Sequence, residues 1–154
     1  MAVEHSTLTT TDLHEPKGVA AANADEIYIA NGSASGAWTS ADNNIYLQGT
    51  IADISTAASS WIVSPCAGTI TNIRTIINGA ISGGDAVITF EINGTLITAG
   101  AITIANSSSA AGDVDSSTPS GARVLAAGNK LEAITNGGST NTIIAEIMYT
   151  ITPL

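Results

Sequence analysis

The chain has 154 residues, thirteen acidic and four basic, so its formal net charge is −9, and charged residues make up only 11% of it. That length suits one compact domain plus an appended segment, and a deficit of Lys and Arg excludes nucleic acid and argues against an anionic membrane surface as partners. No apolar run approaches the ~20 residues that span a bilayer, residues 1–18 lack the basic start and apolar centre of a secretory leader, and the lone Cys66 permits no intrachain disulfide and suits synthesis in a reducing cytoplasm.

Residues 1–24 mix small and polar types around Pro16 and Gly18, with no periodicity long enough to fold alone. They predict an extended arm. The Ala-rich piece from Val19 to Ala24 is below the length at which an isolated helix holds in water. From Ile27 the pattern turns to short β segments. Ile27–Ala30 and Ala37–Thr39 predict a small hairpin, with Asn31-Gly32 and Gly36 where the chain reverses. A strand region over Asn44–Ile54 follows, and the Ser/Ala-rich stretch Ser55–Ser60 reads as a boundary. The expected organisation is an arm and hairpin over 1–60 and a folded body over 61–154.

The body breaks into eight β candidates, at 61–63, 69–77, 86–92, 95–97, 101–105, 122–125, 130–135 and 142–151. The fold class expected is therefore all-β, an eight-stranded antiparallel sandwich or barrel. In the last segment Ile143, Ala145, Ile147, Tyr149 and Ile151 alternate with Thr142, Glu146, Thr150 and Thr152, so the first set should face the core. Ile144 and Met148 interrupt the polar face and predict an oligomer interface there. Asn93-Gly94 is a two-residue hairpin signal. The stretch Asn106–Ser120 reads as a long loop, either a contact loop or a mobile one.

Catalytic equipment is sparse. The histidines, His5 and His14, both fall in the arm, leaving the body no imidazole for a general base or metal ligand. Cys66 has no activating His or Lys near it in sequence and reads as a structural residue. Asp113 and Asp115 are spaced as in some calcium loops but lack the further acid, glycine and distal Glu of an EF-hand, so solvated loop acids are expected and no metal or other cofactor. Glu91, Glu132 and Glu146 fall on separate segments and nominate no carboxylate pair for hydrolysis. Trp38, Tyr46 and Trp61, in a chain with only 4% aromatics, either pack the hairpin onto the body or offer a face to a sugar.

The stretch Leu13-His14-Glu15-Pro16-Lys17-Gly18-Val19, followed by Ile27-Tyr28-Ile29-Ala30-Asn31-Gly32 and Ser35-Gly36-Ala37-Trp38, resembles the leader of tailed-bacteriophage capsid decoration proteins. The body is similar to the jelly-roll domain of such decoration proteins and head fibres through Ser64-Pro65-Cys66-Ala67-Gly68-Thr69-Ile70, Asn78-Gly79-Ala80-Ile81, Ala111-Gly112-Asp113-Val114-Asp115 and Ala127-Gly128-Asn129-Lys130-Leu131. The resemblance implies a non-enzymatic virion protein on the outer capsid surface, a homotrimer with a jelly-roll body. It implies an arm that docks on the major capsid protein through Leu13, His14, Glu15, Pro16, Lys17, Gly18 and Trp38. The alternative is a glycan-binding or adhesion module on the virion, gripping its ligand with loop residues between Asn106 and Ser120.

Overall fold

The computed structural model describes residues 23, 26–30, 36–41 and 43–154. The chain forms two compact units, Met1–Asp42 and Asn43–Leu154. In the first, β1 (Glu26–Ala30) and β2 (Gly36–Ser40) pair antiparallel with Tyr28 opposite Trp38, where the hairpin was expected. Strand alternation puts those two rings together, 5.4 Å apart and edge-on at 64°. It turns Ile27 and Ile29 the other way, 51% and 50% exposed. The expected reversal at Asn31-Gly32 lies outside the described residues.

The second unit is an all-β antiparallel sandwich. Its strands are β3 (Ile45–Ile51), β4 (Ala58–Val63), β5 (Gly68–Ile77), β6 (Ala86–Ile92), β7 (Thr95–Leu96), β8 (Ile102–Ile104), β9 (Val114–Ser117), β10 (Val124–Leu125), β11 (Lys130–Thr135) and β12 (Ala145–Pro153). One sheet runs β3-β12-β5 and ends where β9 and β10 pair with successive stretches of β5. The other runs β4-β11-β6 and ends where β8 and β7 share β6 in the same way. With each divided edge counted as one position, consecutive strands alternate between the sheets except for β6 and the β7/β8 edge, which share a sheet.

Isoleucine dominates the core, and its β-branched side chain suits a pleated surface. Ile70, Ile73, Ile77, Ile88 and Ile147 are essentially fully buried, each contributing ~1.5–3 kcal/mol against exposure. Phe90 and Tyr149 meet between the sheets with ring centroids 5.7 Å apart and planes at 85°. Every inward residue expected on the last strand, from Ile143 to Ile151, is buried. Asn93 and Gly94 both take positive φ, 51° and 85°, and make the two-residue reversal between β6 and β7.

Three expectations are corrected. The division falls after Asp42 rather than after residue 60, because β3 hydrogen-bonds along β12 and buries Ile51 in the core. Ser/Ala-rich residues 58–60 are not linker but the first half of β4, paired with β11 from Ala133 to Thr135. The Asn106–Ser120 stretch is not loop throughout, since Val114–Ser117 form β9. It holds a 3-10 turn at Asn106–Ser108, and β9 pairs with β5. Val-Asp-Ser-Ser has little strand propensity, and the backbone partners offered by β5 decide its conformation.

Candidate functional site

The docking residues Leu13, His14, Glu15, Pro16, Lys17 and Gly18 lie outside the described residues. Trp38 is in β2, against Tyr28. Cys66 is half-buried and packs on the core, its carbonyl accepting the Ser64 hydroxyl at 2.8 Å. That arrangement is structural.

On the sheet containing β3, β12 and β5, the outward residues of β12 are Glu146, Met148, Thr150 and Thr152, with Ile144 exposed just before the strand. Register places Gln48 and Arg74 on either side of Met148, and Thr50 and Ile76 on either side of Glu146. Val114 extends the row beyond Ile76. Thr50 donates to the Glu146 carboxylate at 2.6 Å. Ile76, Val114, Ile144 and Met148 thus surround one Arg and one Glu, so the apolar break expected at two positions is part of a wider patch whose other members come from β5 and β9.

The outward face of the second sheet carries a different chemistry. Trp61 on β4, Glu132 on β11, Glu91 on β6 and Leu96 on β7 stand in one cross-strand row. Glu91 and Glu132, which fall on separate segments of the sequence, are directly opposite each other in this row. Sequence could not give this, because the neighbours come from three distant segments joined only by register. Trp61 is 57% exposed and Leu96 55%. Lys130 lies 3.2 Å from the Glu132 carboxylate. Hydrogen bonds from the Ser59 hydroxyl, first, and then from the Trp61 indole, together with Lys130, hold the Glu132 carboxyl below the usual carboxylate range against the opposing effect of partial burial. Glu132 thus favours its ionised form, a hydrogen-bond acceptor. Beside it, Thr50, Asp53, Thr56, Ser59, Ser60 and Trp61 line an open groove of about 530 Å³ between the β3 and β4 edges.

Asp113 and Asp115 flank a small pocket of about 130 Å³ with Ser108 and Ser109. Asp113 accepts the Ala110 amide. Burial, and then the neighbouring Asp113, push the Asp115 carboxyl above its ordinary value. Among the described residues no cluster of three or more His, Cys, Asp or Glu is placed to hold a metal, and no helix is long and apolar enough to cross a membrane. Compared with known proteins, the chain matches no family model, no curated protein and no solved structure.

Proposed function

We propose that the chain is a structural, non-enzymatic decoration protein of a tailed-phage head, held on the outer capsid surface by its N-terminal segment. The observation that carries the reading, beside the resemblance of the leader, is the hairpin. A two-stranded ribbon is marginal in water by itself, and this one turns Ile27 and Ile29 outward, each half exposed. Such a ribbon gains stability from a surface that covers those side chains. Residues Leu13 to Gly18 and Trp38 then supply the docking geometry on the major capsid protein. Pro16 restricts itself and Glu15 to extended backbone, so less entropy is lost on binding.

Self-association, trimeric in this reading, is supported by the patch of Ile76, Val114, Ile144 and Met148. An acidic exterior suits a shell surface rather than the genome side, where positive charge would be favoured. Several arms on one oligomer raise the effective concentration of each for the capsid.

The test is to mix undecorated mature heads with the full chain and with a chain lacking residues 1–24, and to image both. The full chain is expected to add density outside the shell and the truncated chain to add none. Wild-type decoration by the truncated chain removes the arm as anchor. Sedimentation equilibrium of the full chain tests the oligomer: a 15.4 kDa species at all concentrations rules it out.

A further inference from the structure

We infer that the row Trp61–Glu132–Glu91–Leu96 and the groove beside it form a binding site for a neutral, β-linked pyranose oligosaccharide. The site is independent of the capsid-docking reading and of the Asn106–Ser120 region, of which Val114–Ser117 pair with the other sheet.

Trp61 is flanked without being covered. It stands directly opposite Glu132 on the neighbouring strand, which sets the ring beside that carboxylate. The side chain nonetheless remains 57% exposed. A Trp side chain has only two torsions to restrict, so an exposed ring on a strand loses little entropy when something flat and apolar is laid on it. The C–H face of a pyranose with equatorial substituents is such a surface, and its hydroxyls project around the rim, where they need partners.

Acceptors are what the rim offers. Ionised carboxylates only accept hydrogen bonds, and Glu132 and Glu91 stand next to the ring in the same row. A ligand seated there must bring donors, as sugar hydroxyls do. The hydroxyls of Ser59 and Ser60 continue the polar lining into the groove, which Ala52 and Ala58 also line, and its volume of about 530 Å³ falls within the range of small-ligand sites. Three strand spacings separate Trp61 from Leu96, on the order of 14 Å, which gives room for a chain of rings rather than one.

Charge narrows the class. Glu91 and Glu132 against the single Lys130 leave the face negative, which disfavours uronates and sulfated or phosphorylated glycans. A protein partner is also disfavoured, because covering the row means desolvating two adjacent carboxylates with one cation between them.

The experiment is calorimetric titration of the full chain with cellohexaose, hexa-N-acetylchitohexaose and an oligogalacturonate. At least one neutral hexamer is expected to bind and the polyanion is not. Trp61→Ala is expected to weaken binding by roughly tenfold or more while the chain still melts cooperatively, since the ring is largely in water. Trp61→Phe should retain part of the affinity, and Glu132→Gln should lose several-fold. Absence of heat with both neutral hexamers up to roughly 10 mM, or unchanged affinity in Trp61→Ala, overturns the inference. Sedimentation of Trp61→Ala separates the remaining alternative: a shift towards monomer makes this face a contact between copies and also overturns it.

Discussion

Glu91 and Glu132 stand directly opposite each other on β6 and β11, two carboxylates side by side on an outer sheet face. Like charges in that relationship destabilise a sheet by an amount comparable to the ~0.2–1 kcal/mol that favourable cross-strand pairs contribute. Among the described residues Lys130 alone offsets them, from one side. Glu91→Gln is therefore expected to stabilise the sandwich by ~0.2–1 kcal/mol at low ionic strength. The gain should shrink with added salt, because the pair is near water and screening acts on it. Urea midpoints at low and high salt check both statements; a loss of stability at low salt contradicts the first.

Two carboxyls give opposite pH dependences. Glu132 has its folded pKa lowered by Ser59, Trp61 and Lys130 from an ordinary 4.5. Its contribution is present above that value and is lost as pH falls through the lower folded value. For Asp115, burial and Asp113 raise the folded pKa above 3.8, so the ionised form costs stability and protonation favours the folded state. Asp115→Asn is expected to raise the melting temperature at pH 7 and to bring no gain below pH 3.8, whereas Glu132→Gln should flatten the acid side of the melting profile. Melts of the two variants from pH 2.5 to 7 provide the check.

Thr75 is 1% exposed on β5, and its hydroxyl finds no hydrogen-bond partner. A buried unsatisfied hydroxyl costs ~1–3 kcal/mol, and an apolar group of the same shape removes that cost. Thr75→Val keeps the β-branch that suits the strand. It is expected to stabilise by about 1 kcal/mol, a rise of roughly 4 °C for a domain of this size, and a fall in melting temperature would assign the hydroxyl a partner.

Much of the fold was legible because alternation is a local property. The inward set on β12, the Asn93-Gly94 reversal and the hairpin pairing all follow from neighbours in sequence. What was not legible depends on register between distant segments. The edge strand β9 is imposed on Val-Asp-Ser-Ser by β5, and β3 belongs to the sandwich because β12 pairs with it from Ile45 to Ile51. The site was hidden for the same reason. Trp61 was visible as a rare aromatic, but its neighbours Glu132 and Glu91 arrive from two other strands, and no spacing in the chain announces them.

The place of the division between units leads to a sharp comparison of truncations. A chain beginning at Asn43 keeps every strand of both sheets, so it is expected to fold with a melting temperature close to that of the full chain. A chain beginning at Trp61 loses all of β3 and half of β4. It also loses Ile51 and Ile54, which are buried, at ~1.5–3 kcal/mol each. Two specific hydrogen bonds go with them: the Ile54 amide donates to the Ile143 carbonyl at 2.9 Å, and the buried Thr135 hydroxyl donates to the Ile54 carbonyl at 3.1 Å. Removing the acceptor leaves the Thr135 hydroxyl, which still accepts the Gly137 amide, with no partner for its proton, at a further ~1–3 kcal/mol, and strips one side of β12 of its partner. Against a total stability on the order of 5–15 kcal/mol, those losses leave the shorter chain largely unfolded or aggregated. Circular dichroism melts and limited proteolysis of the two truncations decide the matter: a cooperative melt for the chain starting at Trp61 near that of the chain starting at Asn43 would return β3 to the N-terminal unit.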